Sequence, residues 1–193
     1  MAELRGVRIG CAMTGSFCTF KQVFDSWKQL RNAGAELYPI MSFNACSLDT
    51  RFYPAKEAVE AFEEICGRKI WNTIEQVEPI GPKKMLDLLI VAPCTGNSIA
   101  KIACGITDTP ATLAVKSHLR NQRPVLIAVS TNDALSGSGQ NIGRLMRTRN
   151  IYFVPFRQDD AKEKPASCVA CFDLLAESAQ NALEGIQIQP MLL

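Results

Sequence analysis

An apolar run that stops abruptly at helix-starting residues constrains the fold of this chain more than any other feature. Residues 88–92 read Leu-Leu-Ile-Val-Ala, and residues 93–98 read Pro-Cys-Thr-Gly-Asn-Ser, with Asn97 and Ser98 as candidate helix caps. An uninterrupted apolar run is typical of a parallel strand that is covered on both faces. The free N–H groups of the helix that follows can bind an anion such as phosphate. The segment therefore predicts a strand that presents a ligand to a helix N-terminus.

A second junction of the same kind lies near the start of the chain. Val7–Met13 reads as a buried first strand, Thr14-Gly15-Ser16 follows it, and an amphipathic stretch extends over Phe20–Leu30. The carboxyl ends of parallel strands meet at one edge of a sheet, so the two junctions are expected to lie close together. Two phosphate-binding turns at one edge indicate a nucleotide-like cofactor.

Apolar strands alternate with helical patterns along the chain. The predicted strands are Val7–Met13, Glu36–Met41, Leu86–Ala92, Pro124–Val129 and, as the last, Ile151–Pro155. The predicted helices are Phe20–Leu30, Ala55–Cys66, Asn97–Cys104, Pro110–Arg120, Asn141–Arg147 and Val169–Leu183, whereas Ser42–Ser47 is predicted as a polar loop and Trp71–Val77 is ambiguous. This order predicts an α/β fold: a doubly wound, mostly parallel Rossmann-like sheet with right-handed crossovers.

Length and charge narrow the functional classes. With 193 residues, 47% of them apolar, the chain is expected to form a single domain over residues 1–193. A net charge of +2, taken as evenly spread, argues against nucleic acid or a membrane surface as a partner. No apolar run approaches the roughly 20 residues of a membrane span, and no signal peptide is recognised, so a cytoplasmic location is expected.

The eight cysteines and the single histidine do not indicate a metal site. Cys168 and Cys171 have the two-residue gap of a metal or redox motif, but no second pair accompanies them at the spacing of a zinc site. The cysteines are therefore expected to be reduced thiols. His118 lies between Lys116 and Arg120 on a predicted helix and is expected to be a solvated surface residue.

Two motifs resemble those of a known family. Residues 92–108 read Ala-Pro-Cys-Thr-Gly-Asn-Ser-Ile-Ala-Lys-Ile-Ala-Cys-Gly-Ile-Thr-Asp. They resemble the signature of the FMN-binding flavoproteins, which is Ala-Pro-x-x-x-Asn-Thr/Ser…Lys-x-Ala-x-Gly-x-x-Asp. This family includes phosphopantothenoylcysteine decarboxylase and lantibiotic cysteine decarboxylases. Thr14-Gly15-Ser16 matches their first phosphate turn. The resemblance extends over nearly the whole chain to one branch of the family, notably at residues 14–20, 42–44, 50–52, 130–135 and 155–160. That branch supplies one component of a two-component synthase that makes a pyridine dicarboxylate in spore-forming bacteria.

The resemblance implies a cofactor, a reaction and partners. FMN is the implied cofactor, and a separate NAD(P)-binding subunit is the implied partner. Together the two subunits would oxidise a dihydropyridine dicarboxylate to the aromatic product. Family members build their FMN sites at contacts between protomers, so a homo-oligomer is also implied.

The predicted cofactor residues are small or polar and follow three strands. They are Thr14, Gly15, Ser16, Ser42, Asn44, Pro93, Thr95, Gly96, Asn97 and Ser98. The two glycines would let the backbone approach a ligand without a Cβ in between. Ordinary helix capping is the alternative role for the Ser, Thr and Asn residues. Lys101 is predicted either to face the cofactor or to lie at the surface, and Asp108 to cap the helix that begins at Pro110.

The predicted substrate residues are hydrogen-bond donors, because a dicarboxylate needs donors at both ends. They are Arg51, Ser130, Thr131 and Asn132; no catalytic residue is assigned. Arg51 is equally compatible with a surface contact to Asp49 or to another protomer. The glycine-rich residues 136–141 are predicted to be a loop, suited to a lid.

The chain also departs from the decarboxylases of the family. Those enzymes carry a histidine thirteen residues ahead of the Ala-Pro pair, and here that position is Pro79. The missing imidazole disfavours an FMN-dependent decarboxylase of a cysteine-type substrate, which stays open as one alternative function. A non-catalytic module that stabilises the NAD(P)-binding subunit is the other.

Overall fold

The computed structural model describes residues 4–193, which contain a mixed sheet of seven strands flanked by eight α-helices. The strands are β1 (Arg8–Met13), β2 (Glu36–Met41), β3 (Leu88–Cys94), β4 (Val125–Thr131), β5 (Ile151–Phe153), β6 (Phe156–Asp160) and β7 (Lys164–Ala170). Their order is β2-β1-β3-β4-β7-β6, and the short β5 pairs in parallel with the first half of β4. The predicted doubly wound, mostly parallel fold is confirmed.

The chain reverses its direction of winding at β1. From β1 it moves to β2 on one side of the sheet, and it then returns to place β3 on the other side, with both pairs parallel. Such a switch point opens a crevice outside the carboxyl ends of the two central strands. β3 is buried along its whole length, as expected for a strand covered on both faces. The fold therefore places a ligand crevice at the ends of β1 and β3.

The helices follow the apolar periodicity of the sequence. They are α1 (Phe20–Asn32), α2 (Phe43–Ser47), α3 (Ala55–Cys66), α4 (Ile74–Val77), α5 (Gly96–Cys104), α6 (Pro110–Leu119), α7 (Gly139–Met146) and α8 (Leu175–Leu183). On α1, Phe20, Val23, Phe24, Trp27 and Leu30 form the buried stripe. The helices α3 and α5 each end at a glycine in the left-handed region, with φ +65 and +71.

The C-terminal third differs from the sequence-based prediction. Ile151–Pro155 is not the last strand, because β5 ends at Phe153 and an antiparallel hairpin of β6 and β7 follows it. Residues 169–170 belong to β7, so the closing helix begins at Leu175 instead of Val169. The physical reason is non-local, because β7 is held by its pairing with the last two residues of β4. The strand β6 is mostly exposed and charged. Neither strand therefore shows the pattern of a buried strand.

Smaller corrections concern element ends. The predicted polar loop 42–47 contains α2, which Ser42 caps by accepting a hydrogen bond from the N–H of Ala45 at 3.4 Å. Ser130 and Thr131 belong to β4 and not to the loop after it. Thr109, and not Asp108, caps α6, through a reciprocal pair of hydrogen bonds with Thr112. The ambiguous segment 71–77 forms one bridge to β2 and then α4.

His118 is the clearest error of the sequence-based prediction. It is 1% exposed on the inner side of α6, and its Nε2 atom has no hydrogen-bond partner among residues 4–193. Burial, assisted by the charge of Arg123, lowers the pKa of His118 to about 4. The neighbouring Lys116 and Arg120 are exposed. Helical periodicity places His118 on a different face from these two cations, and the sheet covers that face.

The buried His118 leads to a testable pH dependence. Its pKa is lower in the folded state than the ordinary value of 6.5, so folding favours the neutral form. Stability is therefore expected to fall as pH drops from about 6.5 to about 4, by at most about 3 kcal/mol from this group. Urea unfolding across this range, compared between wild type and His118→Leu, measures the effect. The leucine variant should lose part of the acid destabilisation; parallel pH profiles would refute the assignment.

All eight cysteines are free thiols in the structure. Within residues 4–193, no cluster of three or more His, Cys, Asp and Glu side chains is arranged to hold a metal ion. In the same range, no helix combines the length and the apolar character needed to cross a bilayer.

Candidate functional site

The two predicted junctions meet at the switch point of the sheet. The Thr14 hydroxyl donates to the carbonyl oxygen of Pro93 at 2.8 Å and accepts from the N–H of Thr95 at 3.0 Å. The N–H of Thr14 also donates to the Pro93 carbonyl, at 3.2 Å. Thr14 is 1% exposed, so its hydroxyl joins the end of β1 to the end of β3 from inside the protein. These contacts place Thr14 and Pro93 behind the wall of the crevice.

The first turn of α5 leaves two backbone donors available. The Thr95 hydroxyl caps the helix by accepting from the N–H of Ser98 at 3.3 Å. Gly96 and Asn97 are the first two residues of the helix, where the N–H groups have no acceptor within the helix itself. Within residues 4–193, these two N–H groups have no other acceptor either. Such donors at the positive end of a helix favour a bound anion.

A cleft of about 780 Å³ opens outside the ends of β1, β3 and β4. This volume lies within the range of about 300–1,000 Å³ that is usual for small-molecule sites. Eight predicted site residues line it: Gly15, Ser16, Thr95, Gly96, Asn97, Ser130, Thr131 and Asn132. The hydroxyls of Ser16 and Ser130 lie 2.8 Å apart and connect the first junction to β4. The structure thus brings predicted cofactor and substrate residues to one cleft.

A smaller pocket of about 380 Å³ adjoins the cleft and shares Gly15, Phe17, Thr95 and Asn97 with it. Apart from Phe43, its remaining lining is polar and comes from the segment after β2, from α5 and from the segment before α6. Ser42, Asn44, Ser98 and Lys101 belong to this lining. The Nζ atom of Lys101 binds both carboxylate oxygens of Asp108, at 2.8 and 2.9 Å. Lys101 therefore faces the pocket, with its charge compensated by Asp108.

Arg51 stands apart from the other predicted residues. Its guanidinium carbon lies 4.8 Å from the centre of the Phe52 ring, and Phe52, but not Arg51, lines the main cleft. Asp49, the other suggested partner of Arg51, accepts a hydrogen bond from the N–H of Ala55 at 2.8 Å.

The two site glycines face different surroundings. A Cβ on Gly15 would lie 3.4 Å from the Phe17 ring, an ordinary contact, so this position has room on the wall shared by the cleft and the small pocket. A Cβ on Gly96 would lie only 2.6–2.7 Å from oxygen atoms of Ser138, Asp133 and Thr131. Gly96 therefore packs closely against side-chain oxygens at the end of β4 and in the loop after it, which the sequence does not show.

Asp133 is a cleft residue that the sequence-based prediction missed. Its carboxylate accepts a hydrogen bond from the Thr131 hydroxyl at 2.6 Å. The hydrogen bond from the Thr131 side chain is the main cause that holds the pKa of Asp133 below its usual value; burial opposes it, and a weaker hydrogen bond from Ser138 adds to it. Asp133 is therefore ionised at neutral pH and fixes the side chains around Gly96.

The β6–β7 hairpin brings to the cleft five further residues that were not predicted. They are Asp159, Lys164, Ser167, Cys168 and Val169. The Nζ atom of Lys164 lies 2.8 Å from the Asp159 carboxylate, which raises the pKa of Lys164. Among the residues that line the main cleft, Lys164 is the cation. The charged sequence Asp-Asp-Ala-Lys-Glu-Lys of residues 159–164 was the available signal, but it is equally typical of an exposed loop.

Comparison with known proteins agrees with the motifs. The model of the family described as Flavoprotein matches residues 1–186. The B subunit of dipicolinate synthase of Bacillus subtilis (strain 168) is 46% identical over 192 residues, which cover 100% of this chain and 96% of that protein. The crystal structure of the corresponding dipicolinate synthase protein from Bacillus halodurans superposes with a TM-score of 0.91 at 40% identity, over 100% of this chain and 98% of that one.

More distant structures share the fold alone. The FMN-dependent cysteine decarboxylase SpaF has a TM-score of 0.69 at 22% identity, over 93% of this chain and 98% of that chain.

The resemblance to the FMN-binding flavoproteins, and to their branch in spore-forming bacteria, is confirmed.

Proposed function

Because the chain belongs to the flavoprotein family, we propose that it is the flavin-type subunit of a dipicolinate synthase. It acts with the separate NAD(P)-binding subunit of the synthase to oxidise dihydrodipicolinate to dipicolinate during spore formation. The observation that carries this proposal is that three strand ends, two open helix amides and a cation meet at one cleft. The chain that forms this cleft is similar over its full length to a dipicolinate synthase protein.

The cleft has the donor groups and the apolar surface that FMN requires. The N–H groups of Gly96 and Asn97 and the hydroxyl of Ser16 would hold the anionic and polar parts of the cofactor. Phe17, Phe52 and Val169 line the same cleft and would cover a flat aromatic ring. When bound, FMN supplies a hydride acceptor at its ring.

The side chains of this protein would bind and orient the substrate. Dihydrodipicolinate carries two carboxylates, and its conversion to the aromatic product removes one hydride and one proton. Lys164 would bind one carboxylate, while the hydroxyl and amide donors of Ser130, Thr131 and Asn132 would bind the other. Asp133 is held ionised by hydrogen bonds and has a lowered pKa, so it positions Thr131 and is a weak proton acceptor.

A flavin titration tests the cofactor assignment. We expect the purified chain to bind FMN with quenching of flavin fluorescence, and Gly15→Val to weaken binding at least tenfold, because its side chain would fill the wall shared by the two pockets. Gly143→Val is the matched control, since a Cβ at Gly143 would have no heavy atom of the described chain within 4 Å beyond its own neighbours and helix backbone. Unfolding curves should show that the first variant is folded. Absence of FMN binding by wild type would remove the flavin from the proposal.

Reconstitution tests the reaction. NAD(P)⁺, dihydrodipicolinate and the NAD(P)-binding subunit of the synthase are combined with and without this chain, and the absorbance of the aromatic product is followed. We expect product only when both proteins are present. An undiminished rate with only the NAD(P)-binding subunit would overturn the proposed function. A rate that needs this chain but survives Gly15→Val and loss of FMN would favour the assembly role.

Exposed apolar side chains next to the cleft are consistent with a homo-oligomer. Phe43 and Phe52, 43% and 48% exposed, line the small pocket and the main cleft, respectively. A second copy that covers them would close the cofactor site, as the family resemblance implies. Sedimentation of the isolated chain measures its oligomeric state.

A further inference from the structure

A patch of unpaired cations lies on α6, α7 and the turn that follows α7. It consists of Lys116, Arg120, Arg144, Arg147 and Arg149, all of them exposed. None of the five has a recorded ion pair or side-chain hydrogen bond with another residue of the described chain. Elsewhere, cations such as Lys69, Lys101 and Lys164 pair with neighbouring carboxylates.

The sequence shows the same asymmetry when it is counted by segment. Residues 110–150 contain six Lys or Arg and one acidic residue, Asp133, a net charge of +5 in a chain whose total is +2. The expectation of evenly spread charge is therefore wrong. A concentrated charge of one sign attracts and orients a partner of the opposite sign.

An apolar groove of about 560 Å³ runs beside three of these cations. It lies between the C-terminal half of α5, α6 and α7, and its apolar lining includes Ile102, Val115, Leu119, Leu145 and Ile151. Ile106 contributes a side chain that is 48% exposed. Lys116, Arg120 and Arg144 line the same groove, and none of its lining residues is acidic. The groove thus combines an apolar floor with a cationic rim.

We propose that this cationic groove docks an acidic amphipathic helix of the NAD(P)-binding subunit, an inference that rests on the proposed function. The apolar face of the helix would pack on the floor, and its carboxylates would pair with the five cations. The ten residues of α6 extend about 15 Å, which matches a partner helix of roughly three turns. The helix α5 begins at the cleft and ends at the groove, so the docked partner lies within about 13 Å of the cleft.

Other occupants fit the groove less well. A symmetric contact with a second copy of this chain would bring the same cations face to face, which is repulsive. Nucleic acid would satisfy the cations but would leave the apolar floor and Ile106 without a complementary surface. A protein helix with one acidic and one apolar face satisfies both parts of the groove.

Charge reversal tests the docking. Arg144→Glu/Arg147→Glu is titrated against the NAD(P)-binding subunit, and a second variant, Lys116→Glu/Arg120→Glu, repeats the test on α6. The matched control is Lys28→Glu/Lys56→Glu, which changes the net charge equally on exposed positions of α1 and α3. We expect each groove variant to raise the Kd of this complex at least tenfold and the control to stay within twofold. Wild-type binding should weaken as salt increases.

The outcomes separate the docking from the function. Equal affinities of all variants for the NAD(P)-binding subunit, together with normal reconstituted activity, would overturn the docking and leave the proposed function intact. Failure of wild type both to form this complex and to support product formation would overturn the two together. Loss of the chain's own oligomer in the groove variants would identify a second copy as the occupant. If the groove variants keep the complex with the NAD(P)-binding subunit but lose binding to a labelled RNA duplex, nucleic acid is the occupant of the groove. Either of these last results would also overturn the docking.

Discussion

Replacement of Gly96 with alanine is expected to destabilise the protein and to abolish cofactor binding. The new Cβ would lie 2.6–2.7 Å from oxygen atoms of Ser138, Asp133 and Thr131, well inside contact distance. The cluster that holds the loop after β4 would have to open. Overpacking of this kind costs about 1–3 kcal/mol. Urea unfolding and FMN titration measure the two effects.

Helix propensity alone predicts the opposite result, which makes this substitution informative. Alanine is favoured over glycine by about 1 kcal/mol within a helix. Gly143 on α7 is the matched control, because a Cβ there has nothing within 4 Å, and Gly143→Ala should stabilise the protein by about 0.5–1 kcal/mol. If Gly96→Ala were as stable as Gly143→Ala and still bound FMN, the packing role of Gly96 would be wrong.

Lys164→Met is expected to raise the KM for dihydrodipicolinate about tenfold, equivalent to about 1.4 kcal/mol, in the reconstituted synthase. Methionine keeps the length of the side chain and removes the cation that lines the main cleft. The side chain of Lys164 is 60% exposed and pairs with Asp159, so solvent screening keeps the expected change in KM moderate. Because the interaction is the same in the ground state and the transition state, kcat should change little.

Two further substitutions make the Lys164 experiment decisive. Lys162→Met removes a cation from the same hairpin at a position that does not line the cleft and should leave KM unchanged. Arg51→Met tests the arginine that the sequence suggested for carboxylate binding. A large rise in KM for Arg51→Met with none for Lys164→Met would reverse the assignment in favour of Arg51. FMN affinity should be the same in all three variants.

The central architecture could be predicted because its signals are local. The apolar run at residues 88–92 and the glycine stops after α3 and α5 are properties of short segments. Two strand ends followed by small polar residues were sufficient to predict that Gly15 and Thr95 lie close together at one edge of the sheet, and both line the main cleft. The resemblance to the flavoproteins rests on the same residues.

The missed features depend on distant parts of the chain. Lys164 reaches the cleft because β7 pairs with Ser130 and Thr131 of β4, which precede it by more than 30 residues. His118 is buried because the sheet covers one side of α6, although its sequence neighbours are charged. Thr14 does not line the main cleft, because its hydroxyl already binds the backbone of Pro93 and Thr95.

The sequence by itself determined the fold class, the family and the edge of the sheet at which the main cleft lies, because strand periodicity, helix caps and turn residues act over a few neighbouring positions. Only the tertiary structure decided which side chains face the cleft, which glycine is needed for packing, and which cations lack a partner. These properties depend on the pairing of β4 with β7 and on the packing of helices against the sheet. Neither contact leaves a pattern in the local sequence.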